Sequence, residues 1–194
     1  MRGLRLHVHK KAFRVLGISE SFTRNLGDRS ILAGVVLRSD QVIDGFTFSK
    51  TTVGGMDATE KIIEMYKALE RDDINVLMLN GCVISWYNVI DLQKVHEETT
   101  LPLICVTYEE STGLEKYFIQ LFPDDYEKRI EIYHRNGSRT KVKLHTGYDV
   151  YIRFYGVSLE DAKGTLNKFT LHGAVPEPLR IARLLARGIM KMLQ

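Results

Sequence analysis

Two runs decide the fold: Ile74-Asn75-Val76-Leu77-Met78-Leu79 and, further on, Leu101-Pro102-Leu103-Ile104-Cys105-Val106-Thr107. Both are short, apolar and little interrupted by polar residues, as expected of strands covered on both faces. Between them Asn88 and Asp91 carry the side chains that open helices. Strand, helix and strand over so short a stretch imply a parallel pair joined by a right-handed crossover.

Upstream, residues 12–18 (Ala-Phe-Arg-Val-Leu-Gly-Ile) read as a first strand and the β-branched run 30–38 as a second. Residues 41–49 form a third, joined to the second by the tight turn Arg38-Ser39-Asp40, so the two predict an antiparallel hairpin. Gly54 and Gly55 break the chain. Asp57 followed by Glu60 has the pattern of a capping box, and the helix behind it buries Ile62, Ile63, Tyr66 and Leu69 at helical spacing. Downstream, Thr112 with Glu115, Asp124 with Glu127, and Ser158 with Asp161 mark further helix starts. Residues 139–155 alternate in places and suit an extended arm or a hairpin. Pro176 and Glu177 open a last helix that runs to about Met192. The order predicts an α/β fold: a five-stranded mixed sheet with helices on both faces. No repeat, low-complexity tract or linker divides the chain, so residues 1–194 are expected to form one domain.

The chain has 194 residues, 44% hydrophobic and 26% charged, an ordinary globular balance. No apolar run reaches the ~18 residues of a membrane span, so a membrane partner is not expected. The basic N-terminus lacks the apolar core of a secretion signal. Cys82 and Cys105 are the two cysteines, too few for a disulfide framework and without zinc spacing, so a cytoplasmic location is expected. Net charge is only +3, but both ends are basic. Arg2, Arg5, Lys10, Lys11 and Arg14 precede the first acid, Glu20, and Arg180, Arg183, Arg187 and Lys191 close the chain without one. That asymmetry permits nucleic acid without requiring it.

Several chemistries are excluded by their motifs. There is no Gly-x-x-x-x-Gly-Lys phosphate loop, no Gly-x-Gly-x-x-Gly and no Gly-x-Ser-x-Gly elbow. His7 and His9 share one face of a short extended stretch, suited to a metal or to a plain basic arm. Cys82 follows Asn80-Gly81 at a strand end, where a nucleophile can stand, but no histidine is near in sequence to activate it. Along the last helix, at about 100° per residue, Arg180, Arg183, Arg187 and Lys191 fall at about 0°, 300°, 340° and 20°. Ile181, Leu185, Ile189 and Met192 lie opposite. Such a stripe grips phosphates or forms a solvated face of a packed helix.

Three positions stand at the ends of elements: Gly17-Ile18-Ser19, Leu79-Asn80-Gly81, and Pro176-Glu177-Pro178-Leu179-Arg180-Ile181-Ala182-Arg183. On these residues, together with the strand 101–106, the chain resembles the endonuclease V family, whose fold is ribonuclease H-like. More closely, it is similar to the family called domain of unknown function 99, over residues 12–193. The resemblance implies an enzyme that holds Mg²⁺ or Mn²⁺ between carboxylates and activates water against a phosphodiester. It also implies an aspartate where this chain has Ser19, another where it has Asn80, and in some members a histidine where it has Arg183. The remaining family acid falls near Asp57, which equally suits a helix cap. Glu20 is next to Ser19, but neighbouring strand residues point to opposite faces.

Neutral groups at two carboxylate positions, with Arg183 adding a positive charge, predict weak metal binding, so no cofactor is expected. The leading expectation is a catalytically degenerate, endonuclease V-like protein that binds nucleic acid through Arg180, Arg183, Arg187 and Lys191 without efficient cleavage. A nuclease rearranged around Asp57, Glu20 or Asp44 is the second, with Mg²⁺ or Mn²⁺ its cofactor. A protein-interaction module on the same scaffold is the third.

Overall fold

Along the first strand, Leu16 and Ile18 face one side and Val15 and Gly17 the other, and both sides are buried. The computed structural model describes residues 12–25 and 28–193; His7, His9 and the basic residues from Arg2 to Lys11 lie outside them. Three strands lead, β1 (Arg14–Ser21), β2 (Arg29–Arg38) and β3 (Ile43–Thr52). Helix α1 (Ala58–Lys67) and strand β4 (Val76–Leu79) follow, then a small hairpin of β5 (Val83–Ile84) and β6 (Asn88–Val89). Next come α2 (Leu92–Thr99), β7 (Leu103–Thr107), α3 (Glu115–Leu121) and α4 (Tyr126–Arg135). The chain ends with β8 (Thr140–Lys143), β9 (Asp149–Tyr155), α5 (Leu159–Phe169) and α6 (Glu177–Met192).

The main sheet runs β3-β2-β1-β4-β7-β9-β8. The expected hairpin of β2 and β3 and the parallel trio β1, β4 and β7 are present. The sheet has seven strands rather than five, because residues 139–155 form a hairpin whose β9 pairs antiparallel with β7. Helices α1 and α2 cover the face carrying Leu16, Ile18, Leu77 and Leu79. Helices α5 and α6 cover the face carrying Val15, Val76 and Met78, with Phe169 and Leu179 buried there. Burying side chains of this size stabilises by about 1.5–3 kcal/mol each, so both layers contribute. Among the described residues no helix is long and apolar enough to cross a membrane.

The last helix sits very close to the sheet. Ala182 and Ala186 are fully buried, and a Cβ on Gly17 would lie 2.6 Å from the Cβ of Pro178. The expected apolar side is therefore shifted: Leu179, Ala182 and Ala186 face the sheet, while Met192 is 76% exposed.

Candidate functional site

Parallel pairing of Ile18 with Leu79 makes Ser19 and Asn80 the next neighbours at the carboxyl ends of β1 and β4. The backbone N–H of Asn80 donates to the carbonyl of Ile18 at 3.2 Å. The hydroxyl of Ser19 is buried and donates to the carbonyl of Leu179 at 3.0 Å. Ser19, Asn80 and the start of α6 thus come together although they are far apart in sequence. Ser19 faces α6, however, and it is Glu20 and Asn80 that line the open cleft beside it.

That cleft has a volume of about 620 Å³ and lies beyond the carboxyl ends of β1, β4 and β7, where ligands of open α/β sheets bind. Arg183 and Arg187, one turn apart on α6, form one wall. Arg139 and Arg153, from the loop before β8 and from β9, also line it. Of the expected basic stripe only Arg183 and Arg187 reach the cleft. Arg180 is turned to the carboxylate of Glu177, and Lys191 is exposed beyond it.

The carboxylate of Glu20 has one oxygen buried without a hydrogen-bond partner. Burial pushes its pKa up to about 7, against the opposing pull of its own N–H, Arg183 and the N–H of Ser85. Tyr108 lies nearby with its hydroxyl also buried and unpartnered, and burial raises its pKa well above the ordinary phenol. Cys82 lies at the floor. The thiol of Cys105 donates to its sulfur, and Arg153 donates to it at 3.3 Å, which holds Cys82 below the ordinary thiol range and raises Cys105. Arg153 is 7% exposed, and among the described residues no carboxylate pairs with it; its other partners are the carbonyl of Gly137 and the ring of Tyr133.

The other acids proposed from sequence are elsewhere. Asp57 makes no side-chain cap of α1. It accepts instead from the hydroxyls of Thr51 and Thr52, the N–H of Thr52, and Nδ2 of Asn88 at 2.8 Å. Burial raises its pKa and these donors outweigh it, so the net shift is down. Asn88 is correspondingly no helix opener but the fully buried clamp of this knot, also accepting from the N–H of Ala58. Asp44 is paired with Arg14 at 2.5 Å and Arg71 at 2.8 Å, at the end of β1 away from Ser19, and these guanidinium groups hold its pKa down at about 2.

A Mg²⁺-type cation needs several hard, mostly anionic oxygens. Here Ser19 is committed to Leu179, Asn80 is neutral and Arg183 is a cation, which leaves Glu20 at the floor and the exposed Glu109 and Glu110 at the rim. Among the described residues no three His, Cys, Asp or Glu side chains are grouped to hold a metal ion. The residues do not fit the cation that the resemblance implies.

A second feature borders the cleft. Ser85, Trp86 and Tyr87, between β5 and β6, all have left-handed backbone, with φ of 44°, 60° and 69°. Each costs on the order of 1 kcal/mol or more for a residue with a side chain. The turn is held by Ser85 donating to the hydroxyl of Ser30 at 2.7 Å, Gly54 N–H donating to Ser85 O, and buried Arg129 donating to Tyr87 O at 2.8 Å.

The fold is shared with proteins of known structure. Human endonuclease V superposes with a TM-score of 0.68 at 16% identity, covering 99% of this chain and 92% of that one. Endonuclease V of Ciona intestinalis, solved with an inosine-containing DNA, gives 0.63 at 14%, covering 94% and 87%. The architecture is therefore the ribonuclease H-like, endonuclease V type. Residues 11–190 match the profile of the endonuclease dU family, and the chain belongs to that family. Among its relatives, a UPF0215 protein of Pyrobaculum calidifontis is 35% identical over 178 residues, 92% of this chain and 97% of that one. One of Methanopyrus kandleri is 33% identical over 190 residues, covering 97% and 96%. A protein of unknown function from Archaeoglobus fulgidus superposes with a TM-score of 0.78 at 27% identity, covering 91% and 98%.

Proposed function

We propose that the chain binds a nucleic-acid strand along the arginine-lined cleft and does not cut it efficiently. The observation that carries this reading is the composition of the cleft: four guanidinium groups line it against one deep carboxylate, Glu20, and two exposed ones at the rim, Glu109 and Glu110. Guanidinium groups fork onto phosphate oxygens, and Arg183 and Arg187, at i and i+4, are spaced to meet successive phosphates. Buried Arg153 lacks a carboxylate partner among the described residues, so an incoming phosphate would meet a cation already stripped of water. The DNA complex of the Ciona endonuclease V supports nucleic acid as the kind of partner. The loss of efficient cutting rests on Ser19 and Asn80 standing where the resemblance places metal carboxylates, with the cation Arg183 beside them where some members have a histidine. A cytoplasmic setting accords with two buried free thiols.

A second reading is favoured by one observation. The pKa of Glu20, about 7, suits a group that takes or gives a proton near neutrality. A hydrolytic site rearranged around Glu20 would show it. The two readings separate in one experiment: labelled strands carrying dU or inosine are incubated with the protein, with and without Mg²⁺ or Mn²⁺. Retention without product is expected. Cutting abolished by Glu20→Gln would establish the rearranged nuclease instead.

A further inference from the structure

The left-handed turn at residues 85–87 is unexplained by a cleft that only grips phosphates. No glycine relieves it, although left-handed backbone is rarely adopted by residues with side chains. It is over-determined by bonds from four separate parts of the chain, through Ser30, Gly54, Arg129 and the contact of Ser85 N–H with Glu20. Conformations of this kind persist where the surroundings enforce them, and they gather at ligand sites.

What the turn holds out is an indole. Trp86 is half-buried, with Tyr87 edge-on to it at 5.7 Å and the exposed guanidinium of Arg24 over its ring at 5.1 Å. Tyr87 is in turn fixed by stacking on Tyr117 at 5.8 Å. Among the described residues no carboxylate pairs with Arg24, so its charge remains for a ligand. The indole thus has a rigid base, a long-armed cation over one face that an incoming base would displace outward, and a backbone link through Ser85 to the acid of the cleft.

We propose that Trp86 is a stacking platform for an unpaired nucleobase, with Arg24 contacting the phosphate or the outer face of that base. This deepens the nucleic-acid reading and rests on it. A flat π-face with an adjoining guanidinium accepts any base, so selectivity falls on single-stranded over duplex nucleic acid rather than on sequence. The phosphates of the same strand continue into the cleft towards Arg183 and Arg187. An unpaired base suits the site because a paired base keeps both faces stacked within the duplex.

Trp86 is the sole tryptophan of the chain, so its fluorescence reports on this position alone. The wild-type protein is titrated at low salt with a single-stranded oligonucleotide, with its duplex, and with a strand of the same length carrying abasic sites. Retention is read in parallel by filter binding. The single strand is expected to quench Trp86 as it binds, while the duplex and the abasic strand bind without comparable quenching. Trp86→Ala should weaken single-strand binding at least about fivefold and leave duplex binding within about twofold, with Trp86→Phe recovering part of the loss. Circular dichroism checks that each variant is folded; the wild-type titrations stand even if Trp86→Ala is not. Binding of all strands with no quenching, or equal quenching by the abasic strand, would overturn the stacking role while leaving the cleft reading intact. Failure of any strand to be retained would remove both.

Discussion

Replacing Gly17 by alanine strikes the contact that seats α6 on β1. The new methyl would stand 2.6 Å from Pro178 Cβ, 2.7 Å from its carbonyl carbon and 2.9 Å from its oxygen. Two of these are backbone atoms, so no side-chain rotation relieves the clash. Reaching an ordinary 3.4 Å contact requires the start of α6 to back away by about 0.8 Å, the difference between 3.4 and 2.6. The same movement would stretch the 3.0 Å bond from Ser19 to Leu179 O beyond hydrogen-bonding range. Overpacking costs about 1–3 kcal/mol and the lost bond about 1 kcal/mol, so Gly17→Ala should destabilise by about 2–4 kcal/mol. That is a large share of the ~5–15 kcal/mol of a typical domain, and equals a fall in Tm of roughly 5–15 °C at this size. Urea unfolding followed by far-UV circular dichroism measures it, with the m-value unchanged. Because α6 carries Arg183 and Arg187, strand binding should weaken in the same variant under conditions where it is still folded. A stability within about 0.5 kcal/mol of wild type would refute the close seating of the helix.

Asn88→Ala removes a fully buried side chain that donates to Thr51, Thr52 and Asp57 and accepts from Ala58; a loss of about 3–4 kcal/mol is expected from the unpaired partners, read by the same unfolding curves. Glu20→Gln tests the raised carboxyl. With its folded pKa near 7 against an ordinary value of 4.5, the native state holds the proton more tightly than the unfolded chain, so wild-type stability falls as pH rises from about 4.5 to about 7. The glutamine variant should match wild type below that window and exceed it above by about 3 kcal/mol; equal curves at all pH would contradict the burial of Glu20. Cys82 should titrate before Cys105, because Cys105 donates its proton to the Cys82 sulfur. Ultraviolet absorbance of the thiolate in the wild-type protein reads the first titration, and Cys105→Ala should raise it.

The parts of the fold that follow from periodicity were legible. The hairpin of β2 and β3, the buried strands β4 and β7 and the capped starts of α2 and α5 each rest on local pattern. The β8–β9 pair was ambiguous because β8 is short with a single apolar residue, Val142, and buried Arg153 interrupts the alternation of β9. Asp57 with Glu60 looked like a capping box because spacing cannot reveal competing donors, here Thr51, Thr52 and Asn88. The turn at residues 85–87 gave no signal at all, since its residues are not those that favour left-handed backbone. Within the cleft, Glu20, Asn80, Arg183 and Arg187 were named from sequence, whereas Arg139, Arg153 and Tyr108 were not. They come from separate loops and strands that only the seven-stranded topology brings together. Arg153 alone left a trace: a cation between Ile152 and Phe154 in a strand is a buried charge awaiting a partner. Ser19 meets the start of α6 as expected, but the alternation of β1 turns its side chain to Leu179 and not into the cleft.

The slope of binding affinity against salt tests the central claim most directly. Each phosphate neutralised in a single strand contributes about −0.7 to the slope of log K against log salt. Four engaged arginines therefore give a slope of about −2.8, and the double substitution Arg183→Ala with Arg187→Ala should reduce its magnitude by about 1.4. Thermal melts of the variant should be close to wild type, because both side chains are exposed. We expect the shallower slope together with weaker binding at low salt. Identical slopes for the two proteins would place the strand outside this cleft and contradict the account.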